Sequence, residues 1–168
     1  MWRSFGSYWG IFGVVALLAS AVYRLSPQAF GLASVPLSAS HWLALVVFVP
    51  FMAYSEGYRG FHLNFAPRVV ARAAWLREQG PPLLLLLAPL FCMGFVHATR
   101  RRKLTSFGVT AAIALVVYGV RHLAQPWRGV VDAGVVLGLA LGLLSLLYHC
   151  VKRYTGSSPA VPLDLPQR

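Results

Sequence analysis

Ionisable residues interrupt the apolar sequence where three predicted helices begin or end. Glu56 and Arg59 lie in YSEGYRGF, directly after the apolar run HWLALVVFVPFMA. If those helix ends meet at one membrane interface, they bring together a polar cluster: Glu56, Arg59, His62, Arg121, His122 and Asp132. Arginines can hold a phosphate or carboxylate, and acids or histidines can move a proton. The polar cluster is therefore a candidate ligand or proton site.

A purely structural interpretation of the same charges stays open. Glu56 and Arg59 are three residues apart, and Arg128 and Asp132 are four apart, so each acid could be neutralised by a neighbour on its own helix. The sequence contains no HExxH, no GxSxG and no phosphate-binding loop. No catalytic residue is assigned, and an enzyme is the less favoured alternative.

A second set of residues has side chains that suit copper or haem iron. Met93 and His97 are four residues apart in one apolar segment, and His149 and Cys150 close another. Sulfur and imidazole bind both metals, and His97 with His149 could clamp a haem from two helices. The spacing matches no metal signature, so these residues could equally face headgroups and water. They are weak candidates, and the cofactor stays unknown.

The composition places most of this chain in lipid. Its 168 residues are 58% hydrophobic and 11% charged, which is too little polar surface for a water-soluble globule of that size. The net charge of +11 is typical of loops that face anionic headgroups. Nucleic acid is not an expected partner, because RRRK at 100–103 is short and lies between apolar spans.

Apolar segments predict an all-α integral membrane protein with about five transmembrane helices. The spans are Ser4 to Tyr23, His41 to about Ser55, Pro81 to Ala98, Leu104 to Val120, and about Val130 to Val151. Cleavage of the first segment after Ala19-Ser20-Ala21 is a less favoured alternative. Residues 1–153 form one domain, and the proline-containing tail at 154–168 is expected to be disordered.

The distribution of Lys and Arg does not settle how the spans are oriented. Five spans place equal numbers of basic residues on both sides, whereas a re-entrant hairpin at 81–98, with four spans elsewhere, gathers nearly all of them on one side. The high apolarity of 81–98 favours five spans. The expected location is a multi-pass position in a bacterial cytoplasmic membrane, with its orientation undetermined.

Two further surfaces are predicted from residue spacing. A short amphipathic helix near 67–78 should lie on the membrane surface, with Trp75 at the interface. Its basic residues and those of the next loop should contact lipid headgroups: Arg68, Arg72, Arg77, Arg100, Arg101, Arg102 and Lys103. Small-residue stripes, which favour close helix contact, are formed by Gly6 and Gly10 and by Gly134, Gly138 and Gly142.

Three functional hypotheses remain at this stage. The favoured one is an accessory, assembly or scaffold subunit that binds anionic lipid and partner helices, or a second copy, through its glycine-rich faces. The alternatives are a membrane-embedded enzyme or redox carrier and a small transporter, each of which would use the polar cluster.

Overall fold

The described part of the protein is helical and contains no strand. The structure, a computed structural model, describes residues 2–156 and 162–165. Its α-helices are α1 (Trp2–Phe30), α2 (Ala39–Met52), α3 (Ala66–Gln79), α4 (Pro82–Leu86), α5 (Ala88–Met93), α6 (Arg100–Arg121) and α7 (Trp127–Tyr154). A 3-10 helix (Gly31–Ser34) follows α1, and a π-helical segment (Ala53–Phe65) joins α2 to α3.

Three of the described helices are long and apolar enough to cross a membrane. They cover Ser4–Ser34, Arg100–Arg121 and Trp127–Arg153. A span of about 20 apolar residues matches a hydrocarbon core about 30 Å thick. The predicted all-helical class and the predicted long apolar helices are confirmed at this level, and α1 runs well beyond its predicted end at Tyr23.

The second predicted helix does not end near Ser55. At both joins of the π-helical segment the backbone stays right-handed and helical, with φ −66° at Met52 and −59° at Ala66. The helix therefore continues through Gly57 and Gly60. Gly57 instead permits a close approach, because a Cβ placed there would lie 2.7 Å from the Leu141 side chain.

Residues 81–98 form a broken hairpin instead of one spanning helix. Helix α4 has five residues and α5 has six, and Leu87 between them has φ −90° and ψ 20°. Pro89 lies in the first turn of α5, where its missing N–H is tolerated. Gly94 then ends α5 with φ +87°, a left-handed conformation that favours glycine. A continuous third span over Pro81 to Ala98 is thus not formed.

The long helices pack with alternating direction around α7. At one end Gln125 donates to Gln28 Oε1 over 3.2 Å, and the His41 and Trp127 rings are 4.7 Å apart. We call this the Gln125 end. At the opposite end α3 contacts the 81–98 hairpin through Arg72 and the end of α7 through Glu78, and we call it the Arg72 end. The start of α6 lies here too, because Ser106 donates to the Met93 carbonyl. Helix α6 runs from the Arg72 end to the Gln125 end with almost its whole surface exposed.

Both predicted glycine stripes are used for packing inside the chain. Cβ atoms placed on Gly134 and Gly142 would lie 2.7 Å from the rings of Phe48 and Phe61, which belong to α2 and the π-helical segment. A Cβ on Gly10 would lie 2.8 Å from Cys92 Sγ, and one on Gly6 would collide with Leu85. The stripes let α7 and α1 approach their own neighbours closely, and their use by a second protein stays a prediction.

Candidate functional site

The most completely satisfied polar side chain in the described region is that of Arg72, which is 2% exposed. Its Nε donates to the Phe91 carbonyl over 2.7 Å, and its Nη2 donates to the carbonyls of Val96 and His97 over 3.1 and 3.0 Å. Its Nη1 donates to the Leu163 carbonyl. The expectation that Arg72 contacts lipid headgroups is corrected, because every nitrogen of its guanidinium is used inside the protein.

The buried position of Arg72 is explained by the backbone carbonyls that it binds, at the end of α5 and in the turn that follows. The Phe91 carbonyl at the end of α5 accepts from the Gly94 N–H over 3.0 Å, whereas the carbonyls of the turn after α5 lie outside any helix. A buried carbonyl without a donor is costly. The guanidinium supplies donors in a planar fork, and its central carbon lies 4.1 Å from the centroid of the Phe91 ring. Burial lowers the pKa of Arg72 from 12.5 to about 10, so the side chain stays charged at neutral pH.

Part of the C-terminal tail contacts the same place. The Leu163 carbonyl accepts from Arg72, and the Asp164 carbonyl accepts from the Thr99 backbone N–H over 2.9 Å. Leu165 packs against the core beside these contacts. The tail was predicted to be disordered over 154–168. Residues 157–161 and 166–168 lie outside the described residues, and for them that prediction is untested.

The other predicted headgroup contacts remain available at the surface. Arg77, Arg100, Arg101 and Lys103 are exposed, whereas Arg68 and Arg102 are half-buried. Arg102 lies against the turn at Gly94, where a Cβ would be 2.8 Å from its Nε. Trp75, the predicted interfacial anchor, is also half-buried and stacks on Phe91 with 5.4 Å between ring centroids. The predicted surface helix α3 therefore buries one side against the bundle.

The polar cluster is divided among three places. Arg121 and His122 are exposed at the Gln125 end, where Asp132 is also found. Glu56 lies level with Gly138 in the middle of α7, because a Cβ on Gly138 would be 3.2 Å from the Glu56 Cβ. His62 lies further towards the Arg72 end. These residues are separated because α2 continues as a helix through the π-helical segment. That continuation carries Glu56 and His62 away from the Gln125 end.

Asp132 and Arg128 form the ion pair that their spacing predicts. The Arg128 Nε and one Asp132 carboxylate oxygen are 3.7 Å apart, and Asp132 is 4% exposed. Neither atom has a hydrogen-bond partner among the described residues. The pair therefore joins a buried carboxylate to a half-buried arginine near the start of α7.

We expect Arg128→Leu to lower the free energy of unfolding by about 3 kcal/mol, because it leaves the Asp132 carboxylate buried without a counter-charge. The double variant Arg128→Leu, Asp132→Leu should recover most of that loss, since it removes both charges. Thermal unfolding in one detergent measures all three proteins. A double variant as unstable as Arg128→Leu would show that packing, and not charge, explains the cost.

Aromatic and histidine rings line one side of the π-helical segment. Tyr54, Tyr58 and His62 stack at four-residue intervals, with centroid distances of 6.0 and 5.6 Å. His62 then meets His149 of α7 at 5.1 Å, and the His149 Nε2 lies 3.1 Å from the His62 carbonyl oxygen. These stacked rings connect the π-helical segment to the last turns of α7.

The candidate metal ligands are separated. His97, with φ +48°, stacks on Trp75 at 6.0 Å, whereas His149 lies against His62 and Tyr148. Met93 and Cys150 are partly buried against the core. Within residues 2–156 and 162–165, no group of three or more His, Cys, Asp or Glu side chains could hold a metal ion. The haem and copper hypotheses gain no support from this placement.

Sequence reasoning missed the role of Arg72 and its contact with the tail. A signal for the first was present, because Arg72 lies three residues after Val69 and four before Leu76, on the apolar stripe of its helix. Its carbonyl partners were not predictable, since they depend on the broken geometry of 81–98.

Comparison with known proteins adds nothing to these observations: no family model, no curated protein and no solved structure matches the chain.

Proposed function

We propose that this protein is a four-span accessory or assembly subunit of a membrane, with a basic face that binds anionic lipid. The spans are α1, α2 with the π-helical segment, α6 and α7. Residues 39–65 are continuous and helical, which exceeds the length needed to cross a hydrocarbon core. The 81–98 hairpin and α3 then lie at the Arg72 end, where α3 serves as the partly embedded surface helix.

One observation carries the proposal: Arg72 donates to carbonyls before and after the Gly94 turn, which brings the two arms of the 81–98 hairpin together. Helix α3 brings Arg77 to this end, and α6 starts there, because Ser106 donates to the Met93 carbonyl over 3.1 Å. The end of α7 arrives too, because Arg153 lies 3.8 Å from Glu78. The basic residues at this end are Arg68, Arg72, Arg77, Arg100, Arg101, Arg102, Lys103, Lys152 and Arg153.

The opposite end is poorer in positive charge, which supports an orientation. Arg24, Arg121 and Arg128 lie at or near the Gln125 end. Lys and Arg in short loops favour the cytoplasmic side, so the Arg72 end faces the cytoplasm and its anionic leaflet. A bacterial cytoplasmic membrane fits this orientation. The proposal takes the alternative arrangement considered from the sequence, four spans with a hairpin, in place of the favoured five spans.

The spread of the reactive side chains favours a binding role over catalysis or transport. Glu56, Asp132 and His62 lie at three different depths along α7, and Asp132 is already paired with Arg128. A catalytic group needs its partner within hydrogen-bond reach of the same reacting atom. The large surfaces of the molecule are instead the apolar sides of α6 and the basic Arg72 end, which suit lipid and protein contacts.

We expect the single-cysteine variants Pro36→Cys and Ala124→Cys to be labelled from one side of the membrane. Gln79→Cys, Arg101→Cys and Thr155→Cys should be labelled from the other side. The background is a Cys92→Ala, Cys150→Ala chain, and the reagent is a membrane-impermeant maleimide applied to intact cells and to inverted vesicles. Four spans place 79 and 101 on the same side, whereas five spans place them on opposite sides. Labelling of 79 and 101 from opposite sides would contradict the proposed topology.

Neutralising the exposed charges at the Arg72 end should weaken lipid binding. Arg100→Gln, Arg101→Gln and Lys103→Gln remove three cations, each worth about 1 kcal/mol of attraction to an anionic surface. Native mass spectrometry of protein in mixed phosphatidylglycerol and phosphatidylcholine should then show fewer bound phosphatidylglycerol molecules. Arg121→Gln at the Gln125 end is the control and should leave the count unchanged. Equal losses from both variants would contradict a basic face directed at lipid.

A further inference from the structure

We propose that residues 163–165, which we call the tail strap, compete with the phosphate of anionic lipid headgroups for a site beside Arg68 and Arg102. The strap and a headgroup exclude each other, so lipid binding at the Arg72 end releases the strap. The inference rests on the proposed function, because the competing lipid is the one that the basic face is proposed to bind. It goes further by naming the site and the segment that regulates it.

The tail strap contacts three different parts of the Arg72 end. The Leu163 carbonyl accepts from Arg72 Nη1, and the Asp164 carbonyl accepts from the Thr99 N–H over 2.9 Å. Leu165 packs against the core. The strap therefore bridges α3 and the residue before α6, and it is held by backbone carbonyls and one apolar side chain.

The Asp164 side chain brings a negative charge to a group of arginines. Asp164 interacts electrostatically with Arg72 and Arg102, and Arg102 is also repelled by Arg68. Arg68 and Arg102 are half-buried, and neither forms an ion pair within residues 2–156 and 162–165. Because like charges that are partly removed from water repel strongly, an anion beside them is favoured, and the strap supplies one.

A lipid phosphate suits the same surroundings. Guanidinium groups bind phosphate through paired N–H donors, and free backbone N–H groups bind it as well. Arg68 and Arg102 supply the guanidinium groups, and the Thr99 N–H becomes free when the Asp164 carbonyl leaves it. Arg72 keeps its bonds to the hairpin carbonyls, so release of the strap does not require the hairpin to open.

Few bonds hold the strap in place. Residues 162–165 form no helix, and Pro162 at their start is exposed. Segments with few buried contacts open at a lower free energy than the core does. Two groups that exclude each other from one site lower each other's affinity by the same factor, so weakening the strap should strengthen lipid binding.

Strap release is measured as the distance between spin labels on Pro162→Cys and Gln79→Cys, in a full-length Cys92→Ala, Cys150→Ala chain. Both labelled positions are exposed, and Gln79 ends α3. In phosphatidylcholine vesicles we expect one short distance. Addition of phosphatidylglycerol should produce a second, longer distance, whereas inorganic phosphate in phosphatidylcholine vesicles should not.

The outcomes separate this inference from the proposed function. If native mass spectrometry shows bound phosphatidylglycerol and the distance is unchanged, the inference fails and the proposed lipid binding stands. If no phosphatidylglycerol binds, both fail. Opening by inorganic phosphate alone would overturn lipid as the competitor and identify a free anion instead.

Asp164→Asn removes the charge of the strap while keeping its backbone. Asp164 has φ +49°, a conformation that asparagine also adopts, so the carbonyl bonds should remain. We expect the phosphatidylglycerol fraction that gives half-maximal opening to fall about fivefold, which matches about 1 kcal/mol for one charge near an anionic surface. Glu78→Gln removes an acid that pairs with Arg153 at the same end and should have a smaller effect. Equal effects would assign the change to net charge and overturn the role of the strap.

Discussion

Replacing Arg72 with methionine is expected to release the 81–98 hairpin and to lower the free energy of unfolding by about 3 kcal/mol. The substitution removes the side-chain donor from the carbonyls of Phe91, Val96, His97 and Leu163, although the Phe91 carbonyl still accepts from the Gly94 N–H. Hydrogen bonds to a charged group contribute about 1.5–3 kcal/mol each, and a buried acceptor that loses its donor keeps its desolvation cost. Partial relaxation of the hairpin and filling of the space by methionine limit the total.

The thiol of Cys92 reports this release directly. Cys92 is 0% exposed, lies in α5 next to the Arg72 contacts, and packs against Gly10 of α1. In a Cys150→Ala background, Arg72→Met should raise the maleimide labelling rate of Cys92 by about 100-fold, the factor that matches about 3 kcal/mol of opening free energy. Labelling kinetics in detergent and thermal unfolding give two independent measurements.

Two matched variants separate charge from geometry at this position. Arg72→Lys keeps the charge, but one ammonium cannot reach carbonyls that the planar fork of arginine spans, so we expect an intermediate loss. Arg77→Met removes an exposed arginine five residues later on the same helix and should change neither measurement. If Arg72→Met labelled as slowly as wild type, the guanidinium would not be what holds the hairpin closed.

The second large effect is expected from Gly138→Leu in the middle of α7. Its Cβ would meet the Glu56 Cβ at 3.2 Å and the Met52 carbonyl oxygen at 3.6 Å, so we expect the larger leucine side chain to displace these neighbours. The π-helical segment must move away from α7, which costs about 3 kcal/mol by analogy with overpacked cores. Thermal unfolding in detergent is the measurement, and Gly138→Ala should show a smaller effect of the same sign.

Helix α6 supplies the control for Gly138. A Cβ on Gly108 meets nothing within 4 Å, so Gly108→Leu adds the same side chain to an apolar helix where space is open. We expect Gly108→Leu to be neutral or slightly stabilising, because leucine favours helix more than glycine does. Equal losses from Gly108→Leu and Gly138→Leu would attribute the effect to the substitution itself, and not to the contact between α7 and the π-helical segment.

The long apolar helices could be predicted from the sequence because they depend on local composition. The segments that became α1, α6 and α7 contain enough consecutive apolar residues that a helix is the way to satisfy their backbone in lipid. Gly134, Gly138 and Gly142 likewise predicted close packing, since a four-residue repeat places them on one face. The ion pair of Arg128 with Asp132 followed from spacing alone.

The end of α2 and the site of Arg72 could not be predicted in the same way. The glycines of YSEGYRGF are ordinary helix stops by local preference, yet the segment stays helical and Gly57 lies close against Leu141. Whether Glu56 lies at an interface or at mid-depth depends on that continuation. The residues of the polar cluster can be selected from their types and positions in the sequence, but their neighbours depend on contacts between residues distant in the chain.

The sequence by itself determined that this chain is helical and built from apolar segments, because hydrophobic length and periodicity act within each segment. Only the tertiary structure decided how those segments connect. Residues 81–98 are as apolar as a spanning helix, but a buried guanidinium from α3 supplies donors to carbonyls that a continuous helix would have bonded internally. That exchange of hydrogen-bond partners between distant residues turns a predicted span into a hairpin.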